Sequence, residues 1–403
     1  MRPRRRAFGL AFGALILFVV GTSVQAGWLI AIASCLLGAA IAGLLLPRRM
    51  VRGVEVERRA PAEAFQGDEV RVDLVVANRS RGVRLALDLR DEHVRPSRAF
   101  LARLGPGERV IVETRRIASR RGAQRTDGVL VTSGAPFGAG EARRRVPSVS
   151  ETVVHPRLVP LEDLPFLEAT PTPEHAMHSV PRRGGGPEYL GIREYRTGDS
   201  LRHVHWPSTA RRGEVMVREF EREQTRRLAV VVDAMADAGS AETPMDRCCS
   251  VAASVAFAAR TAGQGVRLVS AADGAPISLA RAEPHGLLRW LAELRPGGGL
   301  PLADLLGRLG PEVLGAETVL LAFPTWRANA VETLADPVAD LVWRAPRVVA
   351  VVVEAHTFEG VERAPLLDPG DVDALADALQ GAGALVHRLG AETDLRVLTG
   401  VRA

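Results

Sequence analysis

The stretch Leu228-Ala229-Val230-Val231-Val232-Asp233 sets the fold class of the C-terminal half of this chain. An apolar run rich in β-branched valine is typical of a strand that is buried on both faces of a parallel sheet. Three similar runs follow, at 266–270, 318–323 and 348–354. Helical apolar spacing occupies the intervening or flanking segments 247–262, 285–294, 302–309, 331–343 and 372–389. This alternation predicts an α/β domain with a largely parallel sheet over residues 226–403.

Composition and missing motifs narrow the functions that this domain is expected to have. None of its predicted helices opens with a Gly-x-Gly-x-x-Gly or Walker-type loop, so nucleotide binding is not supported. The chain of 403 residues has 52 basic residues, all of them Arg, against 47 acidic ones, and only 4% of its residues are aromatic. A net charge of +5 with so few aromatics makes a nucleic-acid binder the weakest of the functions considered. The spacing of Cys35, Cys248 and Cys249 favours neither a disulfide framework nor a metal site.

Immediately upstream, residues 188–225 hold the densest polar and aromatic stretch of the chain, including both of its tyrosines. Three interpretations remain open. Arginine forks bind carboxylates and phosphates, so the stretch would form an anion or acid–base site. Alternatively, it clamps a loop between domains, with Asp199 paired to an Arg and Trp206 filling a core, or it forms a partner-binding surface. The residues concerned are Arg193, Tyr195, Gly198, Asp199, Arg202, His203, His205, Trp206, Ser208 and Arg211. Ser208 follows Pro207 and lacks a Gly-x-Ser-x-Gly elbow, which gives a nucleophile triad little support.

The same stretch resembles the signature of the domain of unknown function 58 family. The matching segments are Arg193-Glu194-Tyr195, Gly198-Asp199, Arg202, Trp206, Ser208-Thr209-Ala210-Arg211 and Val217-Arg218-Glu219-Phe220-Glu221. The departures are Val204 where the family has Ile, an inserted Thr209, and Arg218 for the common Lys. The order of parts along the whole chain also resembles that family.

The resemblance implies a C-terminal domain similar to von Willebrand factor A domains, which bind a divalent cation through oxygen ligands. The corresponding positions here have lost ligands: Asp233-Ala234-Met235-Ala236-Asp237 replaces both serines, and Leu300 stands where a Thr is usual. The strand at 318–323 ends without the expected Asp. We therefore expect no metal and no cofactor, with Asp233, Met235, Asp237 and Leu300 as degenerate positions. The resemblance also implies a MoxR-type AAA+ ATPase as a partner.

Two further soluble segments lie toward the N-terminus. Residues 51–155 alternate apolar and polar residues in short runs separated by turn residues, which predicts an antiparallel β-sandwich of immunoglobulin-like size. Residues 156–187 are rich in Pro, Gly and His without a sustained period and are interpreted as a linker. His175 and His178 lie three residues apart in that linker, but no further ligand type accompanies them, so solvated loop residues are the preferred interpretation.

The N-terminal residues 1–50 predict a transmembrane hairpin. Ala7 to Leu46 carries no charge, and a single helix of that length would be about 60 Å long, twice the hydrocarbon thickness. Two spans at about 7–22 and 28–46 fit instead. Arginines precede the first span and follow the second, whereas the turn is uncharged, so both ends are expected on the cytoplasmic side of the plasma membrane. The competing interpretation is a signal peptide with Val24-Gln25-Ala26 as its cleavage site.

Together these features predict a membrane-anchored multidomain protein that works as an adaptor. Its expected partners are the lipid bilayer and other proteins, either the MoxR-type ATPase or an envelope complex, with no nucleic acid and no catalysis of its own. The alternative is a hydrolase or transferase that acts on an anionic substrate through the Arg, His and Asp residues of the signature.

Overall fold

A computed structural model of the protein describes residues 3–91, 98–167, 183–195, 204–221, 227–240, 242–280, 283–297 and 299–400. The chain divides into two compact units. The first contains Met1–Arg157 with Leu291–Leu294, and the second contains Leu158–Trp290 with Arg295–Ala403.

The first unit begins with two helices, α1 over Pro3–Ser23 and α2 over Gly27–Met50. Both are long and apolar enough to cross a membrane. They pack against each other closely at Gly21, where an added Cβ atom would lie 3.0 Å from the Cβ atom of Leu29. Two apolar helices were predicted here, and the structure confirms them with ends that extend over the flanking arginines.

Eight strands follow in the first unit. They are β1 Val54–Arg59, β2 Glu63–Phe65, β3 Glu69–Asn78, β4 Arg84–Asp91, β5 Arg98–Leu104, β6 Arg109–Ile117, β7 Gly122–Ser133 and β8 Ala142–His155. One sheet has the order β1-β3-β6 and the other β2-β8-β7-β4-β5. All neighbours are antiparallel except β2 and β8. The alternating residues of both sheets enclose one core that includes Leu74, Leu87 and Val131. The immunoglobulin-like character of this domain stays a prediction.

The described residues of the second unit form eight further strands. They are β9 Arg183–Glu194, β10 Met216–Glu221, β11 Arg227–Val232, β12 Gly265–Ala272, β13 Ala275–Ala280, β14 Thr318–Pro324, β15 Val348–Val353 and β16 Leu385–Leu389. β9 and β10 form a separate pair, and the remaining six form one sheet in the order β13-β12-β11-β14-β15-β16. Its neighbours are parallel except β12 and β13. The largely parallel sheet is therefore confirmed.

Five of the remaining helices in the described residues correspond to predicted ones, with one correction, whereas those at Trp206–Arg212 and Pro311–Leu314 were not predicted. In chain order, the remaining helices are α3 Trp206–Arg212, α4 Pro244–Thr261, α5 Pro284–Glu293, α6 Leu302–Gly307, α7 Pro311–Leu314, α8 Val331–Arg344 and α9 Pro369–Gly381. The prediction of one helix over 372–389 is wrong, because the chain leaves the helix at Gly381 and residues 385–389 form the strand β16. Gly383, with a φ of +96°, turns the chain between them.

The first part of the segment interpreted as a linker is fixed to the α/β domain. The backbone N–H of Val159 donates a hydrogen bond to Ser254 Oγ at 3.0 Å, and Thr318 Oγ1 donates to the carbonyl of Phe166 at 3.0 Å. Gln264 Nε2 donates to the carbonyl of Leu167 at the same distance. β9 then begins at residue 183, inside the range assigned to the linker. His175 and His178 lie outside the described residues.

Candidate functional site

The backbone of the signature stretch is held on strand β10, which has partners on both of its edges. On one edge, Arg193 lies opposite Val217 in the antiparallel pairing with β9, and the N–H of Tyr195 donates to the carbonyl of Val215 at 2.8 Å. On the other edge, Val204 pairs with Val217 and the N–H of His205 donates to the carbonyl of Met216 at 2.8 Å. The ends of both flanking segments are thus fixed to the same strand.

Helix α3 begins directly after His205 and is tied back to β10 by Thr209. Thr209 Oγ1 donates to the carbonyl of His205 at 3.1 Å and accepts from the N–H of Met216 at 3.0 Å. Gly213, with a φ of +75°, ends the helix in the left-handed conformation. Thr209 is one of the three departures from the family pattern, and its hydroxyl connects the helix to the strand.

The side chains displayed by this segment are largely exposed. Trp206 is 68% exposed and Tyr195 is 39% exposed. Arg211 and Arg212 are also exposed, and α3 has no buried residue. The expectation that Trp206 fills a core in a clamp is wrong: the indole stands on the first turn of a short helix that buries none of its side chains.

Ser208 and His205 form the one contact between predicted catalytic residues that the described part of the chain shows. His205 Nδ1 and Ser208 Oγ lie 2.8 Å apart, within a single turn of α3. In the described residues, His205 has no hydrogen bond to a carboxylate that would orient it as a general base. Gly198, Asp199, Arg202 and His203 lie outside the described residues, so the structure does not place them relative to this pair.

A second candidate site lies at the carboxyl edge of the six-stranded sheet. The chain leaves β11 toward β12 on one side, and β14 lies on the other side and leads to β15. In open α/β sheets, ligands bind at such a switch point, in the crevice beyond the carboxyl ends of the two central strands. Asp233 directly follows β11, and Pro324 ends β14, so Asp233 stands where a ligand-binding residue is expected.

The Asp233 carboxylate is buried and accepts hydrogen bonds at both oxygens. Its exposure is 2%, Oδ2 accepts from Asn329 Nδ2 at 2.7 Å, and Oδ1 accepts from the N–H of Met235 at 2.9 Å. Asn329 is fully buried, and its Nδ2 also donates to the carbonyl of Pro324 at 2.9 Å. Both partners of that amide nitrogen are acceptors, which fixes the orientation of the amide. Burial raises the pKa of Asp233, and the hydrogen bonds from Asn329 and Met235 oppose that rise.

This arrangement supplies hydrogen-bond donors to Asp233 from the protein itself. A divalent cation requires several oxygen lone pairs that face one point. Here Asp237 Oδ1 accepts from the N–H of Met245 at 3.4 Å, and Leu300 is 4% exposed within the apolar core. Among the described residues, no group of three His, Cys, Asp or Glu side chains includes Asp233. Asp233 and Asn329 thus form a buried hydrogen bond that connects the chain after β11 with the chain after β14.

Sequence reasoning did not single out Asn329. The residue belongs to a short 3-10 helix, Arg327–Asn329, five residues beyond the end of β14. Its position after a predicted parallel strand was a usable signal, because the loops that follow neighbouring parallel strands meet at one edge of the sheet. An Asn in that loop was a candidate partner for Asp233.

Comparisons with known proteins give one family match. Residues 191–312 match the family model described as "Protein of unknown function DUF58", which supports the resemblance drawn from the signature. No curated protein matches. Among solved structures, one match is the alkylpurine DNA glycosylase AlkC of Pseudomonas fluorescens bound to DNA with an abasic site analogue, at 12% identity. That match covers 31% of this chain and 39% of the other, with a TM-score of 0.18, which is too low to bear on fold or function.

Proposed function

We propose that this chain, whose residues 191–312 match a family of unknown function, is a membrane-anchored adaptor that binds a protein partner through the exposed surface of α3. The observation that carries the proposal is the exposure of Trp206, at 68% of its surface. Arg211, Arg212 and Tyr195 are exposed on the same short segment and on the adjoining strand end. We call Tyr195, Trp206, Arg211 and Arg212 the signature surface.

The residue types of the signature surface favour protein recognition. Trp, Tyr and Arg dominate the residues that carry binding energy at protein interfaces, because they combine large apolar area with directed polar groups. The backbone beneath them is fixed by the N–H groups of Tyr195 and His205, which donate to the carbonyls of residues 215 and 216, and by Thr209 Oγ1, which accepts from the N–H of Met216. A rigid display lowers the entropy lost on binding. Such a surface is suited to docking a partner.

The carboxyl edge of the sheet supports a role in protein binding without catalysis. The sheet order, with one antiparallel edge strand, is consistent with a von Willebrand factor A-like scaffold, in which this edge would hold a cation. Asp233 instead accepts its hydrogen bonds from Asn329 and Met235. In this proposal the domain keeps the scaffold for protein interaction and has lost its ion.

In this proposal, α1 and α2 form a transmembrane hairpin that anchors the protein. The arginines beside their outer ends and the uncharged turn between them favour an orientation with both ends in the cytoplasm, at the plasma membrane. The soluble units would then face the cytoplasm. A MoxR-type AAA+ ATPase is the cytoplasmic partner that the family resemblance implies.

Two tryptophan variants test the docking role. The full-length chain in lipid nanodiscs is titrated with a MoxR-type AAA+ ATPase of the same organism, and Kd is measured by surface plasmon resonance. Trp206→Ala is expected to weaken binding about 30-fold or more, as for an interface hot spot of about 2 kcal/mol. Trp343→Ala is the matched control, because Trp343 is 89% exposed on α8 of the same unit.

The two possible failures have different meanings. Equal weakening by both variants, or none by Trp206→Ala, would place docking elsewhere than the signature surface. Absence of binding by the unmodified chain would exclude this ATPase as the partner.

The alternative of a hydrolase has one observation in its favour, the 2.8 Å contact between His205 Nδ1 and Ser208 Oγ. A fluorophosphonate probe distinguishes it from the adaptor, because the probe labels only an activated serine. Labelling that Ser208→Ala abolishes would establish the hydrolase. The adaptor proposal expects no labelling of Ser208.

A further inference from the structure

The loop between β7 and β8 in the first unit has an unusual composition. Its residues 134–140, Gly-Ala-Pro-Phe-Gly-Ala-Gly, carry no charge, although three consecutive arginines follow at 143–145, near the start of β8. Phe137 at the centre of the loop is 59% exposed. Exposing an aromatic ring of this size to water costs about 2 kcal/mol relative to burying it. The loop therefore presents an uncharged surface with an aromatic ring that an apolar environment would stabilise.

The loop packs directly on helix α2. An added Cβ atom at Gly140 would lie 2.3 Å from the carbonyl oxygen of Gly43, and one at Gly43 would lie 2.7 Å from the Cβ atom of Ala139. Two glycines therefore allow the backbone of the loop to touch the backbone of the helix. Any larger residue at either position would separate them.

The point of contact lies inside the apolar span of α2. Gly43 precedes Arg48 by five residues, which is about 7 Å along a helix axis. Arginines at the end of a transmembrane helix are placed at the headgroup level of the bilayer. Ala139 and Gly140, which contact Gly43, therefore lie on the hydrocarbon side of that level when α2 spans the bilayer.

The neighbouring surface of the β domain has the chemistry of a membrane interface. A cavity of about 490 Å³ beside the loop is lined by Arg6, Phe100 and Thr132 among others. Phe100 is 64% exposed. Two carboxylates, Asp88 and Glu141, also line the cavity. Each forms an ion pair with the arginine two residues later in the sequence, Asp88 with Arg90 at 3.2 Å and Glu141 with Arg143 at 2.9 Å. Arg6 and Phe100 together provide the cationic and aromatic groups that are typical of the headgroup layer.

We infer that the loop 134–140 is a second membrane contact of this protein, in which Phe137 inserts among the phospholipids of the leaflet that holds Arg6 and Arg48. Phospholipid headgroups fill the cavity beside Arg6 and Phe100. The inference rests on the proposed membrane anchoring by α1 and α2. Under this inference the β domain rests on the bilayer surface, and both the α1–α2 hairpin and the loop 134–140 fix its orientation.

Nitroxide depth measurements test this inference on the full-length chain in phospholipid nanodiscs. Cys35, the exposed native cysteine, is replaced by Ala, and Cys248 and Cys249 are buried. Spin labels are attached singly at Phe137→Cys, Phe100→Cys, Ile41→Cys and Ile117→Cys. Ile41 lies in α2 and is 50% exposed, and Ile117 is the matched exposed control, 68% exposed at the far end of β6. Accessibility to oxygen and to a water-soluble nickel chelate reports the depth of each label.

The expected order of depth is Ile41, then Phe137, then Phe100, with Ile117 in water. The label at Phe137 should collide with the nickel chelate several-fold less often than the label at Ile117. Equal chelate accessibility at Phe137 and Ile117, with Ile41 still in lipid, would overturn the inference alone. A water-exposed label at Ile41 would overturn the membrane anchoring on which the inference rests. Gly140→Val serves as a further check, because separating the loop from α2 should return the Phe137 label to water.

Discussion

The carboxyl edge of the six-stranded sheet and the signature surface place their polar and aromatic side chains in opposite environments. At the sheet edge, Asp233 and Asn329 are buried, and Asn329 Nδ2 donates a hydrogen bond to Asp233 Oδ2. On the signature surface, Trp206 and Arg211 project into solvent from a helix with no buried side chain. A polar group that is satisfied inside the protein contributes to stability, whereas an exposed anchor with a fixed backbone is available to a partner. The comparison predicts that variants at the edge change folding and that variants on the surface change binding.

The largest expected effect is a decrease in the free energy of unfolding, caused by a substitution at the sheet edge. Asn329→Leu keeps the number and branching of the side-chain heavy atoms but removes the donor that Asp233 Oδ2 and the Pro324 carbonyl share. Leaving a buried carboxylate and a carbonyl without that donor should cost about 3 kcal/mol. Thermal unfolding of the detergent-solubilised chain measures the loss. Trp206→Ala is the control, expected to remain within about 0.5 kcal/mol of the parent chain.

Asp233→Asn separates the charge of the carboxyl group from its shape. Burial raises the native pKa of Asp233 above the unfolded value of 3.8, so the native state holds its proton over a pH range in which the unfolded state releases it. The stability linked to Asp233 therefore falls as the pH rises from about 4. Asp233→Asn should cost about 1–2 kcal/mol at neutral pH, because one acceptor oxygen is lost, and should remove this pH dependence. Unfolding measured from pH 4 to 7 checks the slope, and identical slopes in both proteins would contradict the raised pKa.

Ser208→Ala is expected to have a smaller effect on folding than either change at the sheet edge. It removes the hydrogen bond to His205 Nδ1 in a partly buried position, which should cost about 0.5–1 kcal/mol. Chemical denaturation measures this difference. A loss as large as that of Asn329→Leu would show that the signature segment is a structural clamp and not a display surface.

The smallest expected effect is that of Mg²⁺ on the unmodified chain. A ligand that binds only the native state raises the melting temperature with its concentration. Asp233 accepts hydrogen bonds from Asn329 and Met235 and, among the described residues, belongs to no group of three possible ligand side chains. Mg²⁺ at millimolar concentration should therefore leave the melting temperature unchanged, with Na⁺ at matched ionic strength as the control. A rise with Mg²⁺ concentration would show that the edge still takes a cation.

Periodicity and charge predicted much of the architecture. The uncharged run of residues 7–46 fixed two apolar helices, because a longer single helix does not match the thickness of a bilayer. Runs of apolar residues predicted β11, β14 and β15, which lie inside the sheet and need apolar residues on both faces. The same reasoning failed at residues 385–389, since β16 has one neighbour in the sheet and its half-exposed pattern resembles a continuation of α9.

By itself, the sequence determined the order of parts, the parallel sheet and the signature stretch, because these depend on local patterns of apolar and charged residues. Only the tertiary structure decided that Asn329 donates to Asp233, although 96 residues separate them. It also placed Trp206 in solvent and brought Gly140 against Gly43. Such contacts depend on how distant segments meet in space, and no local pattern encodes the geometry that lets one amide satisfy a carboxylate across a sheet edge.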